Sequence, residues 1–578
     1  MRQKFTSYTL LLLASMVPFV PNLWNIDKYI SDQRSELPVK LWSYSTFADT
    51  DAWFGRYIDS VGYPDMQGWL NNPDIIASIL VPRLSMWMPE AVAYNIMLWL
   101  IMLANLTSTW WLCRKYSDAY SALFASIFHC WSAMILSYCV MGAITDVYHV
   151  WPYSLAYLLA INSMETHKIG TALASGVIFS VGFIICPYNF VMFTLLSIGL
   201  LWLYGKNDWK NTLRYSGYIL LGASCIVGLY ALRIYNITHA SQSQMSVEHL
   251  EHTRHVYPFD KLRPDAPDRF QAYVSDYWTY GKDNLIIRRM ASQFIRACGL
   301  PISICILLLS LFRRHWLASY FYPLSVETRR VATVWMVLGC LAILASLGPY
   351  PSYNAEIYSN TSWNIVWLMI HHCWPGANLL LEPFRYALVV TFALSIPLAI
   401  AYSTIRSTVL KLLLAGILCT ELLYFSSAPF PFSTYPTHST EVYEKLDNII
   451  PTGAIIELPY HYHKSNLFVR DHFVHQRIHH RPIIDIVPGF VPNLFYENHL
   501  LRNLLQIDAP YPLPQVANIP IANEIKKLRE LGFGAIILTP SLYNPQDAKT
   551  AIQFLDQYFL VQEIDNVRIY NLEKTIAQ

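Results

Sequence analysis

Residues 91–112 read AVAYNIMLWLIMLANLTSTWWL and contain no charged side chain. An α-helix needs about 20 mostly apolar residues to cross the hydrocarbon core of a bilayer, so this stretch predicts a membrane-spanning helix. Arg114 and Lys115 follow it closely, as expected at a cytoplasmic helix end. Similar apolar stretches recur between residues 8 and 425. The sequence therefore predicts a multi-pass membrane protein.

The composition supports this class. Of 578 residues, 54% are apolar, 14% are charged and 15% are aromatic, and the net charge is +2. Aromatic rings are enriched at membrane–water interfaces. A nucleic-acid partner would need a concentrated basic surface, so none is expected. A soluble single domain and a disordered chain are both excluded.

We predict about 11 transmembrane helices, which makes the fold class mainly α. Basic residues occur at every second connection, for example Lys206 between the sixth and seventh spans and Arg313 after the eighth. This pattern predicts a cytoplasmic N-terminus, and the odd number of spans places the C-terminal region outside. The predicted spans lie near 8–24, 91–112, 119–140, 148–163, 170–186, 188–204, 214–233, 298–312, 331–347, 385–403 and 407–425.

Three regions follow from this layout. Residues 1–425 form the transmembrane domain, with large outside loops at 25–90, 234–297 and 348–384. Residues 361–373 are too short to span and predict a re-entrant or interfacial outer helix. A proline-rich exit linker, 426–452, leads to an extracytoplasmic domain, 453–578.

The last region predicts a small α/β domain, because strand and helix patterns alternate. Strands are expected at 453–459, 481–486, 533–539 and 567–572, and helices at 524–531 and 547–559. Residues 460–482 are rich in histidine. His461 and His463 could chelate a metal on a strand, and His475 and His479 would share a helix face. No acidic residue completes an H-E-x-x-H motif, so we favour a polar, partly cationic surface.

Two carboxylates, Asp49 and Asp51, begin the first outside loop. Carboxylates so spaced can share a divalent cation, or one can act as a general base while the other positions it. The alternative is that both are helix-capping residues in a wet loop. Asp59 and Asp65 are weaker candidates in the same loop.

Several short motifs carry a family resemblance. After the acidic loop come Ala93-Tyr-Asn-Ile, Cys186-Pro-Tyr-Asn-Phe, Leu381-Glu-Pro-Phe-Arg-Tyr, Glu421 and Ile456-Glu-Leu-Pro-Tyr. In this order they resemble the GT-C superfamily of polyprenyl-phosphate-dependent membrane glycosyltransferases, and most of all its YfhO-like bacterial branch. The resemblance implies a GT-C fold and transfer of a sugar from a polyprenyl-linked donor. It also implies that Asp49 or Asp51 is the base or metal ligand, with Mg²⁺ or Mn²⁺ as the cation.

A lipid phosphate donor needs a cation at the outer interface, and arginine binds phosphate through two parallel hydrogen bonds. Arg385, preceded by Glu382, is the first candidate, and Arg83 is the second. The alternative for each arginine is snorkelling to lipid headgroups. Asp146 and His149 at the outer mouth of the fourth span are further candidates for substrate binding, or else form a solvated cap.

The leading hypothesis is therefore a glycosyltransferase that uses a polyprenyl-linked sugar outside the cytoplasm, with the lipid bilayer and the lipid donor as its partners. The alternative is a non-catalytic scaffold or assembly subunit that retains the fold. A transporter is less well supported, because no repeated halves are visible in the sequence.

Overall fold

The computed structural model describes residues 2–32, 35–50, 57–58, 68–69, 74–132, 134–206, 208–242, 322, 324–346, 352–353, 356–357, 364–375, 377, 383–424, 430–435, 441–450, 452–461, 469–485, 494–509 and 520–576. These are called the described residues. The predicted span at 298–312 lies outside them, as do the candidate residues Asp51 and Glu382.

The described part of the chain is mainly helical. Its α-helices are α1 (Arg2–Met16), α2 (Leu37–Thr50), α3 (Ile75–Ser85), α4 (Glu90–Arg114), α5 (Ala119–Cys130), α6 (Thr145–Tyr148), α7 (Trp151–Thr166), α8 (Ile169–Ile185), α9 (Pro187–Thr194), α10 (Ser197–Gly205), α11 (Trp209–Gln242), α12 (Val326–Ser346), α13 (Ile365–Cys373), α14 (Ala387–Thr404), α15 (Thr408–Tyr424), α16 (Glu441–Glu444), α17 (Leu446–Ile449), α18 (Asp471–His479), α19 (Leu494–Glu497), α20 (His499–Asp508), α21 (Ile521–Glu530) and α22 (Pro545–Leu555).

The strands are short outside the C-terminal region. They are β1 (Tyr29–Ile30), β2 (Tyr57–Ile58), β3 (Gly68–Trp69), β4 (Ser352–Tyr353), β5 (Glu356–Ile357), β6 (Thr434–Tyr435), β7 (Ala454–Leu458), β8 (Phe533–Leu538), β9 (Phe559–Ile564) and β10 (Val567–Thr575). A π-helix covers Met134–Met141, and 3₁₀-helices cover Val20–Asn25, Pro383–Tyr386 and Pro540–Leu542.

Among the described residues, five helices are long and apolar enough to cross a membrane. A sixth span is counted if α5 and the π-helix, which meet at 51°, are one broken span. The protein is therefore a multi-pass membrane protein, with five to six candidate spans among the described residues. Ten of the eleven predicted spans overlap a helix, but several of these helices are too short to pass alone. The five are Glu90–Arg114, Pro187–Gly205, Trp209–Tyr230, Val326–Ser346 and Ala387–Thr404.

The described residues divide into two compact units. The first unit draws on residues 1–32, 73–236 and 257–435, and the second on 33–72, 237–256 and 436–578. This division reflects compactness alone, so the domain boundaries predicted from the sequence stay a prediction.

The first unit is built around α14, which is buried along almost its whole length and packs against α4, α5 and α12. Phe392 of α14 contacts Phe193 and Trp335 edge-on, with ring centroids 5.2 and 6.1 Å apart. A Cβ on Gly339 would lie 2.6 Å from Leu394 Cδ2, so glycine allows α12 to approach α14. Close packing of this kind is how membrane helices associate without a hydrophobic driving force.

The second unit contains a mixed four-stranded sheet with the order β7-β8-β10-β9. β7 and β8 are parallel and fully buried, and β10 is antiparallel to both of its neighbours. The predicted strands at 453–459, 533–539 and 567–572 are confirmed, as are both predicted helices. The predicted strand at 481–486 is wrong: only Ile483 forms a bridge, to Ile455.

Amphipathic helices cover this sheet. Leu501 and Leu505 of α20 are fully buried, and the Asn498 side chain caps this helix by accepting a hydrogen bond from the Leu501 backbone N–H. Asn544 caps α22 in the same way. The C-terminal region is thus a small α/β sheet, as its alternating pattern indicates.

Candidate functional site

The carboxylates predicted to carry the chemistry lie at and after the end of α2. Asp49 is in the last turn of this helix, and Asp51 follows two residues later. The side chain of Asp49 and all of Asp51 lie outside the described residues, as do Asp59 and Asp65. Their roles therefore stay predictions, and the described structure shows how α2 is held.

Within the second unit, α2 packs on α18. Trp42 of α2 is buried, and its indole Nε1–H donates to Gln476 Oε1 at 2.7 Å. Its ring contacts Phe473 edge-on at 5.5 Å. Arg470, which precedes α18, donates to Glu36 Oε1 at 2.9 Å. An aromatic anchor and an ion pair therefore fix the helix that bears Asp49.

An adjoining face of α18 lies against a buried carboxylate, Glu457 of β7. The Tyr443 hydroxyl donates to Glu457 Oε2 at 3.0 Å, and His475 Nδ1 lies 2.6 Å from the same oxygen. His479 Nε2 lies 3.7 Å from Oε1. The predicted shared face of His475 and His479 is confirmed, and the acidic partner comes from a strand.

A second imidazole–carboxylate pair lies beside the first. His472 Nδ1 is 3.0 Å from Asp485 Oδ1. Burial alone would lower the pKa of His472, but the charges of Asp485 and Glu457 raise it to about 9. Burial would raise the pKa of Glu457, but His475 and His472 hold it well below its usual range. We call Tyr443, Glu457, His472, His475, His479 and Asp485 the histidine cluster.

Within the described residues 460–461 and 469–482, this cluster corrects the expectation of a polar, partly cationic surface. His461, His472, His475 and His479 are all buried, with carboxylates from β7, α20 and the segment after α18 beside them. His472 and His475 form hydrogen bonds with Asp485 and Glu457, and His463 lies outside the described residues. Within the part of the chain that the structure describes, no group of three or more His, Cys, Asp or Glu side chains could hold a metal ion.

In the first unit, Arg385 is held by tyrosines. It lies in the 3₁₀ turn before α14, and its Nη2 donates to the Tyr138 hydroxyl at 2.8 Å. The guanidinium carbon lies 5.6 Å from the Tyr138 ring centroid and 5.2 Å from that of Tyr188. Such cation–π contacts hold the planar group in one orientation.

The other cationic candidate is placed differently. Arg83 is exposed in the last turn of α3, about 12 Å along the helix from its N-terminal end. Glu382 lies outside the described residues. Of these two arginines, Arg385 is therefore the one whose side chain is held by neighbouring residues in the described structure.

Asp146 and His149 are buried, with 9% and 1% of their surfaces exposed, so the solvated-cap interpretation is wrong. Trp151 Nε1–H donates to His149 Nδ1 at 3.1 Å. His149 Nε2 lies 3.3 Å from Oδ1 of Asp74, the capping residue of α3, which is fully buried. We call residues 145–151 the polar loop.

The polar loop lies deep along α4. Asn105 Nδ2 donates to the Tyr148 carbonyl, and Asn105 Oδ1 accepts from the Val150 and Trp151 backbone N–H groups. Asn105 lies about 22 Å along α4 from Glu90 and about 13.5 Å from Arg114, so it lies within the hydrocarbon core when this 25-residue helix crosses a core of about 30 Å. Irregular backbone is tolerated at such depth only where protein or a cavity surrounds it.

The two candidates of the first unit also share a neighbour. Asp146 and Arg385 both lie close enough to the buried Cys139 thiol to interact with it electrostatically. The structure thus brings Asp146, His149 and Arg385 to one region, with Tyr138 and Tyr188 around the cation.

Sequence reasoning missed Asp74, Asn105 and Glu457. A local signal existed for Asp74, since Asn-Pro-Asp directly before the apolar run 75–81 is typical of a helix start. Nothing local marks Asn105, a single amide within an apolar span, although polar residues at membrane depth are functional candidates by default.

The comparisons with known proteins concern the fold. No family model matches the sequence, and no curated protein matches it. Solved structures do match. The arabinofuranosyltransferase AftD from Mycobacteria matches with a TM-score of 0.56 and 11% identity, over 99% of this chain and 40% of that chain.

A second match is the oligosaccharyltransferase of Archaeoglobus fulgidus in its apo form, with a TM-score of 0.51 and 10% identity. It covers 96% of this chain and 72% of that chain. The chain has a GT-C-like fold. This GT-C-like chain spans about 40% of the length of AftD, and at these identities the likeness concerns architecture alone.

Proposed function

We propose that this protein is a membrane glycosyltransferase that moves a sugar from a polyprenyl-phosphate or -diphosphate donor to an acceptor on the extracytoplasmic side. The observation that carries the proposal is the buried polar loop at membrane depth, in the same region as an arginine held by two tyrosines, in a GT-C-like fold. Ionisable groups at such depth are costly and usually functional.

The finer assignments belong to the same proposal. We infer about eleven spans, a cytoplasmic N-terminus and an outside C-terminal domain, from the apolar segments and the alternation of basic connections. The short motifs favour the YfhO-like branch of the GT-C superfamily. A bacterial inner membrane is the proposed location.

The proposed chemistry is an inverting displacement. The carboxylate of Asp49 or Asp51 takes the proton of the acceptor hydroxyl, whose oxygen then bonds to the anomeric carbon. The bond between that carbon and the phosphate oxygen breaks, and the electron pair leaves with the lipid phosphate. Arg385 holds this phosphate, and Asp146 and His149 bind polar groups of the substrate.

A divalent cation is proposed as an optional cofactor. Asp49 and Asp51 are the residues that would hold it, because two carboxylates one residue apart supply the oxygen ligands that Mg²⁺ and Mn²⁺ prefer. Bound there, it would stabilise negative charge on the leaving phosphate. The described carboxylates Asp74, Glu457 and Asp485 are instead paired with histidines.

Deletion of the gene followed by extraction of membrane lipids tests the proposal. We expect a polyprenyl-linked sugar to accumulate, and the wild-type gene to remove it. The double variant Asp49→Asn, Asp51→Asn should insert normally but lower the transfer rate by about 10²–10⁴-fold, as loss of a general base does. Asp27→Asn is the matched control, because Asp27 is an exposed aspartate of the same outside segment.

The scaffold alternative predicts a different pattern. Deletion of the gene would not cause a lipid-linked sugar to accumulate. Any other defect of the deletion strain would be corrected by the variant Asp49→Asn, Asp51→Asn as well as by the wild type. That result would leave the GT-C resemblance as one of fold only.

A further inference from the structure

The polar loop is held by side chains from several distant helices. Asn105 of α4 bonds to three of its backbone groups, and Asn189 of α9 donates to the Val147 carbonyl at 2.9 Å. Both amides are fully buried. These contacts hold backbone groups between Val147 and Trp151, and a further contact holds Thr145 at the start of α6.

Asp74 supplies this further contact. Its Oδ1 accepts the Ala77 backbone N–H at 2.9 Å, which caps α3, and it also faces His149 Nε2 at 3.3 Å. The Thr145 hydroxyl forms a hydrogen bond with the same carboxylate. Thr145 directly precedes Asp146 and His149 follows three residues later, so one carboxylate holds both ends of α6.

The hydrogen bond at His149 Nδ1 shows which partner is the donor in the contact between His149 Nε2 and Asp74. Trp151 Nε1 can only donate, so His149 Nδ1 accepts and the neutral ring carries its proton on Nε2. That proton faces Asp74. The imidazole is therefore held between a fixed donor and a fixed acceptor, and it cannot turn over without losing both contacts.

We propose that Asp74 is a positioning residue that holds α6 so that Asp146 is presented to the substrate. Asp74 is assigned an indirect role because its carboxylate is occupied by the Ala77 backbone N–H, the Thr145 hydroxyl and His149. It acts through Thr145 and His149. The functional consequence rests on the proposed glycosyl transfer, whereas the positioning itself can be measured without any activity.

Two substitutions separate positioning from helix capping. Asp74→Asn keeps the length and the acceptor oxygen, so both the cap and the hold on α6 should survive. Asp74→Ser keeps a good helix cap but is one atom too short to reach α6. Asp118→Ser is the matched control, because Asp118 caps α5 through the Tyr120 and Ser121 N–H groups, away from the polar loop.

The first readout is hydrogen exchange of the purified full-length protein over residues 142–151. We expect Asp74→Ser to raise exchange there by about tenfold, the fold-change that 1.4 kcal/mol produces. Asp74→Asn and Asp118→Ser should leave it at the wild-type rate. Equal exchange in the Asp74→Ser and wild-type proteins would overturn the proposal and reduce Asp74 to a helix cap.

The second readout is the lipid pool of the deletion strain. Asp74→Ser should fail to clear the accumulated lipid-linked sugar, whereas Asp74→Asn should clear it. Failure of both variants would overturn a positioning role, since it would mean that the charge itself is required. If the wild type does not alter the lipid pool, the proposed function fails, and the exchange result alone decides whether Asp74 positions the loop.

Discussion

The histidine cluster and the polar loop both bury imidazoles against carboxylates, but they are assembled in opposite ways. In the histidine cluster the partners lie between residues 443 and 485, on neighbouring elements of one sheet domain. In the polar loop the supporting side chains come from Asp74 at the start of α3, Asn105 of α4 and Asn189 of α9, which are separate helices of the membrane bundle.

This difference indicates different tasks. The histidine cluster includes three residues of α18, the helix on which α2 packs. We therefore infer that the cluster stabilises α18 and, through it, the position of α2. The polar loop instead holds one carboxylate, Asp146, in the same region as Arg385 and at a depth where water is scarce. We therefore expect changes in the first region to move α2, and changes in the second to alter the substrate site directly.

The largest expected effect is that of Trp42→Ala, which should destabilise α2 and leave the polar loop unchanged. Trp42→Ala removes the anchor of α2 on α18 and should cost about 3–5 kcal/mol, as other buried large-to-alanine changes do. Hydrogen exchange over 37–50 should rise strongly, while exchange over the polar loop stays at the wild-type rate. Trp24→Ala, at a site 87% exposed, is the matched control. An equal rise in both segments would contradict separate stabilisation.

The next effect concerns pH and only the histidine cluster. The pKa of His472 is raised from 6.5 to about 9, so its contribution is complete below about pH 6.5 and is lost as the pH rises through 9. The shift corresponds to roughly 3 kcal/mol. Glu457 has the opposite sign, since its pKa is lowered and its contribution is lost only on strong acidification.

Limited proteolysis of the full-length protein measures this effect. The ratio of cleavage rates of His472→Gln to wild type should be large at pH 6.5 and should shrink towards one at pH 9. The ratio cancels the pH dependence of the protease. His480→Gln, an exposed neighbour, should give a ratio near one at both pH values. A His472→Gln ratio that does not change with pH would refute the charged state of His472.

The smallest expected effect sharpens the account of the membrane region. Arg385→Lys keeps the charge but loses the flat contact with Tyr138 and Tyr188 and the two-bond grip on phosphate. We expect transfer to fall by about tenfold, which corresponds to 1.4 kcal/mol. Arg114→Lys is the matched control, because Arg114 also contacts an aromatic ring. Its guanidinium carbon lies 6.0 Å from the Trp110 ring centroid, at the C-terminal end of α4. Equal rates for both variants would remove Arg385 from the site.

Much of the architecture could be predicted from local pattern. Apolar length and positive flanks predicted helices near almost every span, and the strand–helix alternation predicted β7, β8 and β10. These features depend on side chains within one segment. Whether the short helices α5, α7 and α8 cross the bilayer was harder to predict. Neighbouring helices of a bundle can cover a short apolar helix, and the sequence alone does not distinguish such a helix from one that crosses the bilayer by itself.

The candidate site was predictable only in part. Asp146, His149 and Arg385 were identified because charged groups near membrane helices are uncommon. Their partners were not, since Asp74 and His149 are 75 residues apart and no local pattern encodes such a pairing. The burial of His475 and His479 was missed for the same reason, because Glu457 approaches them from a strand.

The central claim is that this chain transfers a sugar from a polyprenyl-linked donor. The most direct test adds the lipid extracted from the deletion strain, with the cell-envelope fraction of that strain as the source of the acceptor, to the purified full-length protein and measures the release of free polyprenyl phosphate or diphosphate. We predict release by the wild type and by Asp27→Asn, and release at least about 10²-fold slower by Asp49→Asn, Asp51→Asn. Release at the same rate by the double variant, or none by the wild type, would contradict the account.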